Sequence, residues 1–385
     1  MNISKNLNFI PFKKKKIDKK KFNFFSSILI KRNYIFDSLS SDYKDSYKKS
    51  FIIELKKFKI INLIGMGGSL LGAISIYKFL KKKIKTKFNF FDNLEHININ
   101  KKKKNTLNII VSKSGNTLET IVNSNIIINK NQKNIFITEN KNSYLLKLAK
   151  KLEATIVEHN NFIGGRYSVL SEVGMLPAEL MGLDPKKFRV YDNLIKNKKF
   201  VESLIVNVSN TIELIKRKKS NSIILNYDED SKDLFYWYQQ LIAESLGKKG
   251  KGILPIISNL PRDNHSLMQL YLDGPKTNFY TFFFVNQKYI NKINKDLLLN
   301  SHSYLGNQNI FDIKKSQFKA TQSVFKKNNI PFRTFIVNNR SESSLGELFC
   351  FFILETILLG HALKINPYDQ PKVELIKIET KKNLI

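Results

Sequence analysis

Short apolar runs alternate with helical patterns along most of this chain, and this alternation limits the possible folds more than any other feature. A first series of predicted strands covers 58–64, 88–91, 107–111, 134–138 and 154–157. Helical patterns follow at 69–80, from Thr117 onward, and at 144–151. Neighbouring parallel strands need a crossover long enough to hold a helix, so this order predicts a parallel sheet covered by helices.

A second series of the same kind begins near residue 220. Its predicted strands are 222–225, 277–285 and 331–337, and its predicted helices are 233–246 and 317–328. Ser344 and Glu347 have capping-box spacing, which predicts that a helix opens there and runs to about His361. We therefore expect an α/β protein of two domains, each a parallel sheet flanked by helices in three layers.

The predicted elements divide the chain into four parts. We expect a basic N-terminal arm at 1–45, a first domain at 46–195, a second domain at 196–340, and a C-terminal helix and tail at 341–385 that complete the active site. The join between the two domains falls in the polar stretch 194–200. No internal repeat is strong enough to establish a duplication.

The formal net charge of +33 has two interpretations. One is a surface that binds nucleic acid, for which salt-dependent DNA binding would be the signature. The other is compositional drift, because Lys, Asn, Ile, Phe and Tyr all have AT-rich codons. Most cations here are Lys in runs rather than Arg interleaved with aromatic residues, which favours drift. We expect no nucleic-acid partner, although the excess charge can steer anionic substrates.

The single cysteine, Cys350, excludes an intrachain disulfide and a zinc site built on several thiolates. The longest apolar stretch, 349–363, is interrupted by Glu355 and His361 and is shorter than the ~20 residues that span a bilayer. The basic run 13–16 has no apolar segment behind it that would make a secretory signal. We expect a cytoplasmic protein with no membrane partner.

Two turns that follow predicted strands have the composition of anion-binding loops. Residues 65–69 read Gly-Met-Gly-Gly-Ser, and glycines there let backbone amides face an anion or a sugar. A dinucleotide fingerprint fails because Leu70 stands where it needs glycine, and a plain tight turn is the alternative. Residues 112–117 read Ser-Lys-Ser-Gly-Asn-Thr and suit a phosphate monoester. The alternative is an ordinary Ser-capped helix start.

Two further segments carry groups suited to proton transfer near an oxyanion. Arg166 follows two glycines, which can hold a guanidinium in a cramped site, although such a sequence is usually a surface turn. Gln240 and Glu244 are four residues apart and share a helix face. A glutamate near a helix end is usually solvated, so this pair needs support from elsewhere.

The remaining candidates lie toward the C-terminus. His265 belongs to an Arg-Asp-Asn-His segment, and a lone histidine more often has a packing or surface role. Residues 368–377 read Tyr-Asp-Gln-Pro-Lys-Val-Glu-Leu-Ile-Lys and follow Asn366-Pro367. This segment is either an ordinary solvated tail or a strap that packs back on the body of the protein.

The order and spacing of these segments resemble the phosphoglucose isomerase family. The family's central signature, Gly-Gly-Arg-aromatic-Ser, is matched at 164–168 and continues through Ser171, Gly174, Leu176 and Pro177. Its C-terminal signature, aromatic-Asp-Gln-x-Gly-Val-Glu-x-x-Lys, is matched at 368–377, except that Lys372 replaces the usual glycine. The resemblance covers most of 60–377 and implies two sugar-isomerase-type domains.

The resemblance also implies a role for each candidate residue. Glu244 corresponds to the glutamate that moves a proton between sugar carbons 1 and 2, and Arg166 to the arginine that holds the enediolate. His265 and Lys377 correspond to the pair that opens the sugar ring, with the histidine coming from the partner subunit of a homodimer. The residues expected to bind substrate are Gly68, Ser69, Ser112, Lys113, Ser114, Thr117, Gln240 and Gln370.

The chemistry of an aldose–ketose isomerisation agrees with these assignments. One carboxylate can serve as base and then acid, a fixed guanidinium can stabilise the enediolate, and the phosphate supplies remote binding energy. We expect interconversion of glucose 6-phosphate and fructose 6-phosphate with no cofactor and no metal. The alternatives are a relative acting on mannose 6-phosphate or an amino sugar phosphate, and a sugar-phosphate sensor without catalysis.

Overall fold

The computed structural model describes residues 2–13, 17–97, 105–288 and 291–385, and its strands form two five-stranded sheets. The strands are β1 (Leu7–Ile10), β2 (Ile60–Gly65), β3 (Lys87–Phe91), β4 (Thr106–Val111), β5 (Lys133–Thr138), β6 (Thr155–Glu158), β7 (Asn221–Asn226), β8 (Leu254–Asn259), β9 (Asn278–Val285) and β10 (Phe332–Val337).

Helices separate most of these strands, and short 3-10 turns extend several of the connections. The helices of the first half are α1 (Lys19–Ile30), α2 (Tyr34–Ser38), α3 (Lys49–Leu55), α4 (Leu71–Phe79), α5 (Leu118–Ile127), α6 (Tyr144–Lys151), α7 (Glu172–Leu180), α8 (Pro185–Phe188) and α9 (Tyr191–Lys196). Those of the second half are α10 (Lys198–Lys216), α11 (Lys232–Leu246), α12 (Met268–Asp273), α13 (Ile310–Lys327), α14 (Glu342–Ala362) and α15 (Val373–Leu384).

The first sheet is wholly parallel, with strand order β3-β2-β4-β5-β6. Its central strand β4 is buried along its whole length, as expected for a sheet covered on both faces. Asparagines at one register position of four strands form an amide ladder, with each of the three links 2.9 Å long. The ladder satisfies polar side chains within an apolar sheet and so favours this register. Its members are Asn89, Asn62, Asn108 and Asn134.

The second sheet has the order β1-β10-β9-β7-β8, in which all pairs are parallel except β1 with β10. The prediction of two α/β domains, each with a parallel sheet flanked by helices, is confirmed, with one antiparallel edge strand added to the second sheet.

The N-terminal segment supplies that edge strand. β1 lies within the residues predicted to form a basic arm, and it pairs with β10. Just before the strand, Ser4 Oγ (2.5 Å) and Asn6 Nδ2 (2.6 Å) donate hydrogen bonds to Glu347 and anchor the segment to α14. Helices α1 and α2 follow it, so the segment expected to be a basic arm contains one strand and two helices. The boundaries at 45, 195 and 340 stay predictions.

The longest helix, α14, runs through the protein interior. Among the described residues it is the one helix long and apolar enough to cross a membrane by length and composition, and 89% of its most apolar window is buried inside the protein. Glu355, which interrupts its apolar sequence, forms an ion pair with Arg333 of β10, and both side chains are 1% exposed. A buried charge requires such a partner, so α14 is tied to the second sheet by polar as well as apolar contacts.

The predicted capping box at the start of α14 is wrong. The N-cap is Ser341, whose Oγ accepts a hydrogen bond from Ser344 N at 3.1 Å. Ser344 lies inside the first turn and donates to Asn339 O, while Glu347 points to the N-terminal segment instead of back to the cap. The motif failed because the Ser-x-x-Glu spacing also occurs one turn inside a helix.

Replacing Ser341 by alanine is expected to lower the free energy of unfolding by about 1 kcal/mol, because one helix N–H loses its acceptor. Ser343→Ala in the same turn serves as the matched control and is expected to change it by less than about 0.5 kcal/mol. Urea unfolding of the two variants checks this, and equal losses would contradict the assignment of the cap to Ser341.

Candidate active site

The turns after β2 and before α7 pack against each other through their backbones. A Cβ added to Gly68 would lie 2.3 Å from the carbonyl carbon of Gly165 and 2.5 Å from Arg166 N, which no side chain could tolerate. The glycines therefore permit an approach that brings the 65–69 turn against the start of the Arg166 segment. Both turns also contact α11, the helix that carries Glu244.

Gln240 and Glu244 lie on one face of α11, toward the glycine turn. Gln240 Nε2 donates to Glu244 Oε2 at 3.2 Å, and a Cβ on Gly67, whose φ is +51°, would lie 2.8 Å from the same Nε2. Gln240 Oε1 is buried and has no hydrogen-bond partner among the described residues. A buried acceptor without a donor is costly, so this oxygen suits a ligand hydroxyl.

The guanidinium of Arg166 is 2% exposed and is held by the protein on all three nitrogens. Nε donates to Ser245 Oγ at 2.7 Å, and Nη1 donates to Gln370 Oε1 at 2.8 Å. Nη2 donates to the carbonyls of Pro367 at 2.7 Å and Asp369 at 3.1 Å. With these partners the guanidinium is fixed in orientation before any substrate arrives.

Glu244 Oε2 lies 3.4 Å from Arg166 Nη1, and the Glu244 side chain is 24% exposed. A partly exposed carboxylate thus lies beside a buried guanidinium. This is the juxtaposition that a proton-transfer step needs, because the anion left after proton removal forms beside a fixed cation.

The 112–117 loop follows β4 and precedes α5. Ser112 Oγ and Thr117 Oγ1 are hydrogen-bonded at 2.9 Å, and Gly115 adopts a φ of +64° that keeps the loop tight. Thr117 is the N-cap of α5 without making a side-chain cap bond, while Ser114 Oγ accepts from Asn116 N at 3.3 Å. Hydroxyls and a helix N-terminus are therefore collected in one anion-binding loop.

Lys113 is the cation of this loop. Its Nζ donates to Asn161 O at 2.9 Å and lies 3.5 Å from Glu139 Oε1. Desolvation lowers the pKa of Lys113 below the usual lysine value, and the nearby Glu139 carboxylate offsets part of that effect.

The structure does not bring the two predicted ring-opening residues to Glu244. His265 is exposed in a 3-10 turn, and Lys377 on α15 is 57% exposed and paired with Glu374 at 2.9 Å. Neither has a hydrogen bond or ion pair to Glu244 or Arg166 in the part of the chain described. Their roles stay predictions. Lys372, where the family signature has glycine, has right-handed helical backbone angles, so its side chain causes no strain.

Sequence reasoning missed several groups that hold Arg166. Ser245 received no role in the sequence analysis, although it holds Arg166 Nε. Tyr167 OH lies 2.9 Å from Ser245 Oγ and donates to Pro367 O at 3.0 Å. The adjacency of Ser245 to Glu244 was the available signal. Within the described ranges, no group of three or more His, Cys, Asp or Glu side chains could hold a metal ion.

Comparison with known proteins agrees with this geometry. The family described as phosphoglucose isomerase matches residues 51–253. The chain is 34% identical to glucose-6-phosphate isomerase of Mycoplasmopsis pulmonis, covering 83% of this chain and 81% of that protein. It is 32% identical to the enzyme of that name from Methanocaldococcus jannaschii, covering 88% and 86%.

A solved structure shares the fold. The crystal structure of a glucose-6-phosphate isomerase from Chlamydia trachomatis superposes with a TM-score of 0.72 at 16% identity, covering 95% of this chain and 83% of that one. The family match over more than half of the chain, and relatives above 30% identity along most of its length, decide the assignment: this chain belongs to the phosphoglucose isomerase family.

Proposed function

We propose that this protein is a glucose-6-phosphate isomerase, which interconverts glucose 6-phosphate and fructose 6-phosphate through an enediolate. The observation that carries the proposal is the 3.4 Å separation of the Glu244 carboxylate and the buried Arg166 guanidinium. Relatives that carry this enzyme name match along most of the chain. They favour this reaction over the isomerisation of mannose 6-phosphate or of an amino sugar phosphate.

Glu244 is the base and then the acid of the reaction. It removes the proton from carbon 2 of the open-chain aldose and returns it to carbon 1, and the reverse order gives the aldose from the ketose. Arg166 stabilises the enediolate oxygens that become negative between these two steps. Gln240 binds a sugar hydroxyl through its unpaired Oε1, which aligns the reacting carbons with Glu244.

The 112–117 loop binds the phosphate at the far end of the sugar. Its hydroxyls, amides and Lys113 are suited to a dianion, and binding energy gained there holds the reacting carbons in place. The Gly68–Ser69 turn contacts the sugar between the two ends. Gln370 contacts the substrate from the C-terminal side, where it already touches Arg166.

Ring opening requires groups that Glu244 and Arg166 do not supply. We assign it to Lys377 together with His265 from the partner subunit of a homodimer, acting on the ring oxygen. The exposed position of both side chains in a single chain is compatible with a site completed by a second subunit and by movement of α15. The enzyme acts in the cytoplasm, in glycolysis and gluconeogenesis.

A coupled assay of the purified protein with fructose 6-phosphate, run beside mannose 6-phosphate, tests the proposal. We expect glucose 6-phosphate to form from fructose 6-phosphate, with mannose 6-phosphate a poor substrate. Preferred turnover of mannose 6-phosphate would reassign the substrate. Binding of both sugars without turnover of either would make the protein a sensor and would contradict the proposal.

The pH dependence of kcat/KM is expected to report the deprotonation of the Lys113 ammonium. Because burial lowers the pKa of Lys113, its charge is lost as pH rises through a range below that of a solvated lysine, and phosphate binding weakens there. Lys113→Arg keeps the charge and is expected to move the alkaline fall of kcat/KM to higher pH. An unchanged profile in this variant would show that another group causes the fall.

A further inference from the structure

A tight turn after α11 directs two lysines to one side of the chain. Lys248 and Lys251 are joined by reciprocal backbone hydrogen bonds of 3.1 and 2.9 Å, and the two residues between them, Lys249 and Gly250, have φ of +53° and +68°. In a two-residue turn of this kind the flanking residues are paired, so their side chains emerge on the same face. The backbone of the turn thus fixes the direction in which both lysine side chains leave it.

The ammonium of Lys248 holds the segment that follows α14. Its Nζ donates to Asn366 O at 2.5 Å and to Asp369 Oδ1 at 2.7 Å, and its side chain is 11% exposed. Asn366 Nδ2 donates to the other Asp369 oxygen at 3.0 Å, which closes a small network across the 366–370 turn. Lys251 Nζ donates instead to Leu363 O at 2.9 Å, upstream of that turn.

The 366–370 turn is also the main support of Arg166. The carbonyls of Pro367 and Asp369 accept from Nη2, and Gln370 Oε1 accepts from Nη1. Most side chains of this turn are exposed, with Pro367 its buried exception. Pro367 is also held by Tyr167 OH, which donates to its carbonyl at 3.0 Å, whereas the exposed Asn366 and Asp369 are tied to the end of α11 by the Lys248 ammonium.

We infer that Lys248 is a positioning residue, which sets the orientation of the Arg166 guanidinium by clamping the 366–370 turn to the end of α11. The inference rests on the proposed function, in which that guanidinium stabilises the enediolate. Glu244, Ser245 and Lys248 all belong to the end of α11 and the turn after it. The same short segment therefore carries the base and two groups that position the Arg166 guanidinium beside it. Lys248 itself touches no reacting atom.

The test compares Lys248→Met, which keeps the aliphatic stem, with Lys249→Met, which removes the adjacent exposed ammonium. For Lys248→Met we expect kcat to fall about tenfold with KM changed less than about threefold, since misplacement of Arg166 affects the transition state more than the bound substrate. Lys249→Met is expected to match the wild type. Lys248→Arg, which can still donate to both partners, is expected to recover most of the lost rate.

Binding of two unreactive ligands separates positioning from general destabilisation. An aldonate 5-phosphate of five carbons, whose carboxylate mimics the enediolate, is expected to bind Lys248→Met about tenfold more weakly. A hexitol 6-phosphate, which carries no such charge, is expected to bind it within about twofold of the wild type. Equal weakening of both ligands, or equal rates for the Lys248 and Lys249 variants, would overturn the inference. Absence of turnover in the wild type would instead refute the proposed function.

Discussion

Glu244→Gln is expected to lower kcat by about 10³- to 10⁴-fold, because the amide cannot take a proton from carbon and no other carboxylate lies beside Arg166 among the described ion pairs. Glutamine has nearly the same shape and can still accept the hydrogen bond from Gln240 Nε2. Binding of a hexitol 6-phosphate should therefore change less than about threefold, which calorimetry can measure. The loss should appear in the chemical step alone.

Asp233→Asn provides the matched control, since it makes the same chemical change on the same helix. Asp233 lies in the first turn of α11, about 16 Å along the axis from Glu244. We expect this variant to keep wild-type kcat within about twofold. Retention of more than a tenth of the activity by Glu244→Gln would contradict the assignment of the base.

Arg166→Lys is expected to lower kcat by about 10²- to 10³-fold, the loss typical of removing an oxyanion donor. A lysine keeps the charge but cannot reach Ser245, Gln370 and the two carbonyls at once, as the planar guanidinium does. Several buried acceptors would lose their donor, so the melting temperature should fall as well.

Arg217→Lys is the control for this second change, because Arg217 is an exposed residue at the end of α10. It is expected to leave kcat and the melting temperature unchanged. If Arg166→Lys kept kcat within about threefold of the wild type, a positive charge alone would be sufficient. The fixed orientation of the guanidinium would then have no catalytic value.

The elements of the first sheet were predictable because their signals are local. Buried parallel strands appear in the sequence as short apolar runs ended by glycine or polar turns, and β2, β4 and β5 lie within two residues of their predicted bounds. The helix α6 was predicted at its observed bounds, since its apolar residues recur at helical spacing.

The strands that sequence reasoning missed both lie at edges of the second sheet. β8 is only partly buried and contains Pro255, which argues against a central strand, whereas an edge position tolerates the proline. β1 has four residues in a basic segment and pairs with β10 more than 300 positions away. No local pattern encodes such a pairing.

The candidate site was predictable where side chains carry the chemistry and not where the backbone does. Glu244 and Arg166 were predicted through the family resemblance, since their spacing along the chain does not indicate the 3.4 Å approach that the structure shows. The carbonyls of Pro367 and Asp369 were not found, because every residue has a carbonyl and only the fold decides which of them face the guanidinium. Lys248 was not singled out either, because its ammonium is one of many in the sequence and only the fold shows that it contacts Asn366 O and Asp369.

Isomerisation of fructose 6-phosphate in deuterium oxide tests the central claim most directly. If Glu244 transfers a proton through an enediolate, a measurable fraction of the glucose 6-phosphate formed by the wild type carries deuterium at carbon 2, and Glu244→Gln forms no labelled product above background. Deuterium-labelled product formed at the wild-type rate by Glu244→Gln would contradict the account.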